Sequence, residues 1–161
     1  MKKGSRVGYG YDVHPLGLDR QLIVGGIEIP HTKGLLGHSD SDVLVHAICD
    51  ALLGAMGEGD LGRHYPSSDP KYKGISSLKL LEDVMSKLKA KGYQVGNIDT
   101  VIVAQAPRLG QYLPAMQKKI AEAAGIESDL VNVKVKSGEG LDAVGREEGM
   151  IAHAVCLIEP V

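Results

Sequence analysis

Apolar residues recur along this chain with two periods. Five stretches are rich in Val and Ile and bounded by Gly and Pro, and each predicts a β-strand: RVGYGYDVH (6–14), QLIVGGIEIP (21–30), YQVGNIDTVIVAQAP (93–107), LVNVKVKS (130–137) and GMIAHAVCLIEP (149–160). Inside the second, the Gly25-Gly26 pair predicts a hairpin turn. Three other stretches follow the helical period, at 41–57, 76–91 and 112–124. The first carries Val43, Leu44, Ala47, Ile48, Ala51, Leu52 and Ala55 as an apolar stripe. The second opens on Ser76-Ser77 as caps and closes at Gly92, and the third has Pro114 in its first turn and Gly125 past its end. Strands alternate with helices, and no repeat, linker or low-complexity segment intervenes. The expectation is one α/β (α+β) domain over residues 1–161, a mixed β-sheet with helices packed on one face. The Gly-rich segments 34–40 and 54–62 read as loops, either ordinary turns or places of close backbone approach.

Composition narrows the function classes. The chain has 161 residues, enough for one sizeable core, and is 43% hydrophobic and 24% charged. With six Tyr and no Trp or Phe the core must be aliphatic, and stacking on nucleic-acid bases is disfavoured as a main mode. A net charge of -2 and no long basic block argue against a nucleic-acid partner gripped through many phosphates. Cys49 and Cys156 lie far apart in apolar company and read as reduced core thiols of a cytoplasmic protein. The N-terminal stretch lacks an apolar signal core, and no apolar run approaches a membrane span, so no membrane partner is expected.

Candidate chemistry clusters in a few places. Asp12 and His14 stand at i and i+2 on an extended chain and project from one face. In GHSDSDVLVHAICD, Asp42, His46 and Asp50 follow at i, i+4 spacing along one helix stripe. His46 there is either a satisfied structural histidine or a metal ligand whose tautomer a nearby acid sets. Two His and one carboxylate make the three-protein-ligand set of a catalytic zinc site with one position open. Asp60, between glycines, suits sugar hydroxyls or a polar turn. Pro107 and Arg108 leave a strand where backbone groups and a guanidinium can meet a base edge and a phosphate, or simply end the strand. Ser137 and Glu139 fall where a strand becomes a loop, fit for phosphate oxygen and a hard cation, or for a polar loop. No activated Ser or Cys, Walker A or dinucleotide fingerprint is present. Such parts suit phosphoryl transfer, where catalysis is mostly positioning and charge neutralisation.

The motifs YDVHPL, GGIEIPHTKGLLGHSDSDVLVHAICDALLGA, GDLGRHYPSSDPKYKG, AQAPRL and SGEGL, running almost end to end, resemble the 2-C-methyl-D-erythritol 2,4-cyclodiphosphate synthase family of the non-mevalonate isoprenoid pathway. The resemblance implies a lyase that turns a small nucleotide-diphosphate substrate into a cyclic diphosphate and CMP. It implies zinc on Asp12, His14 and His46, and a second metal, magnesium or manganese, on Glu139 and the substrate phosphates. It gives His38 and Ser39 to the 2-phosphate end and Asp60, Leu61 and Gly62 to the methylerythritol portion, with Ser67, Ser68 and Asp69 nearby. Ala104, Gln105, Ala106, Pro107 and Arg108 match the cytosine pocket, and Lys136, Ser137, Gly138, Glu139 and Arg146 the phosphate-facing side. His38, Ser137 and Glu139 would be catalytic. The family implies homotrimers with active sites between subunits.

This chain departs from the family pattern in three places. The usual Thr-x-Glu reads Ser137-Gly138-Glu139, Tyr65 stands where Phe is common, and Ala143 takes a position where some members carry an aromatic beside Arg146 and Glu148 around a trimer-axis cavity. Two rival readings remain at this level: a metal-dependent phosphohydrolase using the same ligands with water as nucleophile, and a non-catalytic trimeric binding module.

Overall fold

A computed structural model of the chain describes residues 3–161. The strands are β1 (Arg6–Leu18), β2 (Leu22–Val24), β3 (Ile27–Ile29), β4 (Lys33–Leu35), β5 (Tyr93–Val103), β6 (Val131–Lys136) and β7 (Gly149–Pro160). The helices are α1 (Val43–Met56), α2 (Leu61–His64), α3 (Ser77–Ala90), α4 (Leu113–Ala124) and α5 (Asp142–Gly145). β2 and β3 form the expected hairpin, and both turn glycines have positive φ, +60° at Gly25 and +74° at Gly26, a region most side chains avoid. The main sheet has the order β4-β1-β7-β5-β6, and among the described residues only the β5–β6 pair is parallel. It is therefore a mixed sheet, and α1, α3 and α4 cover one face, giving the α+β arrangement the pattern predicts.

Helix bounds fall within two residues of the sequence reading at each end. Three short elements, β4, α2 and α5, lie in stretches that read as loops, because three or four residues carry no periodicity to detect. β1 runs on through Pro15 to Leu18, past the histidine that closes the apolar pattern, and its last three residues pair with β4. The stripe on α1 is a second correction. Twelve of its 14 residues are buried, including Val45, Cys49 and Leu53, so the helix has almost no solvent face. It lies across β1 and β7 with α3 alongside, and apolar residues wrap nearly all of it.

Its closeness to β1 has a local cause. A Cβ at Gly8 would sit 1.8 Å from the Ala51 carbonyl oxygen, and one at Gly10 would sit 1.9 Å from that of Ala47. Two glycines facing two alanines let the helix backbone rest directly on the strand. Even-numbered residues of β1 thus face α1, and odd-numbered ones (Val7, Tyr9, Tyr11, Val13) point to the opposite, open face, where they are 68%, 59%, 44% and 48% exposed.

Candidate functional site

Asp12 and His14 continue the helix-facing register of Gly8 and Gly10, one and two steps further along β1, where α1 has just begun. His46, in the first turn of α1, meets them there. The three donor atoms converge: Asp12 Oδ2 lies 2.9 Å from His14 Nε2 and 3.1 Å from His46 Nδ1, and the two imidazole nitrogens are 3.3 Å apart. A tetrahedral ion with bonds of about 2.0–2.1 Å needs donors separated by about 3.3 Å, so the triangle is of the right size. His14 Nδ1 lies 2.9 Å from the Leu36 carbonyl, which can only accept, so in the neutral ring the proton is on Nδ1 and Nε2 turns its lone pair inward. A lone pair and a carboxylate oxygen facing each other across about 3 Å call for a cation between them. The donor set thus fits a divalent metal.

The electrostatics agree. Burial alone would raise the Asp12 carboxyl, but the facing His14 and His46 rings, wherever a proton stands in for a cation on their inner edge, outweigh it and hold it below its ordinary value. Burial likewise works to lower the His14 imidazole, and the Asp12 carboxylate reverses this, leaving it above the usual histidine range. Neither cysteine competes as a nucleophile. Both thiols are free and buried, and burial pushes the Cys156 thiol up to about 11.

Beside the triad opens a recess of about 140 Å³ lined by His14, His38, Ser39, His46, Leu61, Ser67 and several apolar side chains. His38 Nε2 donates to the Asp69 carbonyl at 2.9 Å, tying the metal-side loop to the 66–69 turn. The Asp69 carboxylate instead accepts from the Lys71 amide at 3.0 Å as a cap, and Ser68 is exposed and does not line the recess. Asp60 is exposed and caps α2, accepting the Arg63 N–H at 3.0 Å, with Gly62 just inside that helix. Of the i, i+4 series on α1, only His46 faces Asp12 and His14. Asp42 is the fully buried N-cap, accepting from the amides of Gly25 (2.9 Å), Gly26 (2.7 Å) and Val45 (3.1 Å). Asp50 accepts the Leu61 amide at 2.7 Å and so holds the start of α2 against α1; burial raises its carboxyl.

A second, open recess of about 700 Å³ lies at the ends of β5 and β6, lined by Ala104, Gln105, Pro107, Arg108, Lys136 and Ser137 among others. The chain turns there through a cis Ala106–Pro107 bond. Gln105 spends its side-chain oxygen on the amides of Gly138 (3.2 Å) and Gly140 (3.3 Å), which shapes the following loop. In that loop Glu139 is exposed, and its carboxylate accepts from Ser137 Oγ at 3.3 Å. Arg146 pairs with Glu148 at 3.1 Å and lines neither recess. The two recesses share no lining residue.

The sequence reading missed several supporting contacts. Arg20 donates to the Ser39 carbonyl and to Ser41 Oγ behind the metal loop. Asp40 binds Ser77 at the start of α3, whereas Ser76, at the N-cap, makes no side-chain capping bond. These contacts span 19 to 37 positions, and no local pattern signals them.

A model of the YgbB family matches residues 5–159. The 2-C-methyl-D-erythritol 2,4-cyclodiphosphate synthase of Syntrophotalea carbinolica is 56% identical over 153 residues, covering 95% of this chain and 93% of that protein. Among solved structures, the bifunctional IspDF of Campylobacter jejuni superposes with a TM-score of 0.94 at 39% identity, covering 98% of this chain and 42% of that one. The IspF–CDP complex of Plasmodium falciparum superposes at 0.87 with 29% identity, covering 99% of both chains. With more than half of the aligned positions shared and nearly the whole length matched, the chain belongs to the YgbB family, that of the 2-C-methyl-D-erythritol 2,4-cyclodiphosphate synthases.

Proposed function

We propose that this chain, as a single domain, converts 4-diphosphocytidyl-2-C-methyl-D-erythritol 2-phosphate to 2-C-methyl-D-erythritol 2,4-cyclodiphosphate and CMP. An oxygen of the 2-phosphate attacks the β-phosphorus. The bond from that phosphorus to the bridging oxygen of the α-phosphate breaks, and CMP leaves with the electron pair. The attacking group is already an anion, so the step needs positioning and charge neutralisation instead of a protein nucleophile. One observation carries the reading: Asp12, His14 and His46 converge within hydrogen-bond distance beside a recess, in a chain 56% identical to a named synthase.

We assign zinc to that triad and magnesium or manganese to Glu139 with the substrate phosphates, and bound there the cations supply Lewis-acid charge that offsets phosphate repulsion. His38, braced by the Asp69 carbonyl, and Ser39 hold the 2-phosphate end. Asp60, Leu61 and Gly62 take the methylerythritol hydroxyls, with Ser67 to Asp69 closing the rim. Ala104 to Arg108 hold the cytosine through backbone groups. Ser137 and Lys136 face the diphosphate, Gly138 gives that loop its close turn, and Arg146 adds positive charge. Two facts support a homotrimer with shared sites. The recess beside the triad and the recess at 104–108 share no lining residue, and β1 exposes an apolar face. The Plasmodium falciparum relative forms a complex with CDP, which supports the cytidine assignment. The free, buried thiols suit a cytoplasmic enzyme.

The test is elemental analysis of the purified protein, followed by incubation with the substrate and magnesium. Phosphorus NMR is expected to show CMP and a cyclic diphosphate. A linear product would instead mark a hydrolase, and a metal-bearing, folded protein that releases no CMP would overturn the assignment. His46→Ala is expected to lose the metal and cut turnover by on the order of 10³-fold while leaving circular dichroism unchanged.

A further inference from the structure

The imidazole of His46 has two edges, and only one faces the triad. The other, Nε2, lies 2.8 Å from Ser77 Oγ and 3.1 Å from Ser39 Oγ. Ser77 is the first residue of α3 and is fully buried. Its hydroxyl donates to Asp40 Oδ1, and its backbone N–H donates to Asp40 Oδ2 at 2.9 Å. Asp40 therefore grips Ser77 with both carboxylate oxygens and replaces the missing side-chain cap at Ser76.

The direction of each proton follows from what each atom can do. A carboxylate only accepts, so the Ser77 O–H points at Asp40 and the oxygen turns its lone pairs toward His46. His46 Nε2 must then carry the hydrogen. Ser39 Oγ, which itself accepts from the Ser41 amide at 3.1 Å, offers a second acceptor on the same edge. The Asp12 carboxylate, 3.1 Å from Nδ1, competes for that hydrogen from the inner edge, but a neutral imidazole has one N–H, and the two outer acceptors hold it on Nε2, leaving Nδ1 as a lone pair.

We propose that Asp40 and Ser77 are positioning residues that act in series, carboxylate to hydroxyl to imidazole, to lock His46 in the tautomer whose Nδ1 is free for a metal. Through the same two contacts the start of α3 is tied to the metal-bearing turn of α1. This goes beyond the ligand triad and rests on the reading of that triad as a metal site. Carboxylates that reach a ligating histidine commonly do so directly; here a buried hydroxyl stands between them, and the charge sits one residue removed from the ring.

Two variants test it. Ser77→Ala removes only the hydroxyl, and Asp40→Asn keeps an oxygen for the Ser77 amide while weakening the pull on its O–H. The first measurement is long-range proton–nitrogen NMR on the metal-free protein, which reports the tautomer of His46 without reference to catalysis. Wild type is expected to show Nε2–H alone, and both variants a mixture of tautomers. The second is zinc affinity by competition with a chromophoric chelator, where each variant is expected to bind about 10- to 100-fold more weakly. A His46 ring that stays wholly Nε2–H in Ser77→Ala, or zinc affinity within about 2-fold of wild type in both variants, overturns the proposal. If wild type binds no zinc, the metal reading fails on its own account, while the tautomer measurement still decides the relay.

Discussion

His14 and His46 owe their orientation to what their far ring atoms touch, and the acids around them divide the labour. Asp12 meets the two histidines, Asp40 grips Ser77, Asp50 holds α2, and Asp42 is an anchor: it receives three backbone N–H groups from two elements and joins the β2–β3 turn to the first turn of α1. Burial, with the charge of Asp40 added, pushes the Asp42 carboxyl up to about 6 from an ordinary 3.8, against the downward pull of those amides. The folded chain therefore holds this proton more tightly than the unfolded one. The sign follows: the associated stability is full below about pH 4 and is lost as pH rises through about 6. Asp42→Asn removes this titration. The stability of wild type relative to Asp42→Asn, from urea denaturation, is expected to fall by on the order of 2 kcal/mol between about pH 4 and pH 6.5. A difference that is flat, or that rises over this range, would contradict the environment described for Asp42.

Among the elements, the decisive contact is α1 on β1. The helix carries one member of the candidate metal triad and the strand two, and they meet because Gly8 and Gly10 leave no side chain between the backbones. A Cβ at position 10 would fall 1.9 Å from a backbone carbonyl, which no rotamer change relieves. Gly10→Ala is expected to cost about 2–3 kcal/mol by overpacking. Because His46 neighbours the displaced Ala47, zinc affinity should fall by about 10-fold or more, as for other disturbances around a ligand. Thermal unfolding and chelator competition on one sample measure both. The opening strand was readable as a strand from its Val and Tyr, and its Asp-x-His as a pair of teeth. That its glycines are the floor on which a helix rests was not readable, since a glycine in a strand pattern does not say what lies above it.

For the whole molecule, the sheet has one face under three helices and one open. Val7, Tyr9, Tyr11 and Val13 on β1, with Val155 on β7, give the open face an apolar character that a solvated sheet would not have. β1 and β7 are adjacent, Tyr9 lies opposite Val155 in register, and Tyr9 Oη bonds His153 Nδ1 at 2.8 Å, so this surface is continuous across the two strands. Under the homotrimer reading it is the contact between subunits. Val155→Asp is expected to give monomers in sedimentation velocity, to keep the metal, and to lose most CMP release, because the two recesses then come from chains that no longer meet. A trimer that survives the charge, or a monomer with full activity, would refute that arrangement.

Much of this molecule can be read from neighbouring residues alone. Hydrophobic period, Gly-Gly at the hairpin, Pro114 and Gly125 around α4, and the donor types of Asp12, His14 and His46 are local features, and local geometry is what φ/ψ preference and side-chain chemistry specify. The strand order, the burial of α1 on nearly every side, the use of Asp40, Asp42 and Asp50 as braces, and the parting of the two recesses are set by contacts between residues that are not neighbours along the chain. Those depend on which surfaces pack together in three dimensions. A carboxylate has the same formula whether it faces a metal, an amide or water, and only its folded surroundings choose among them.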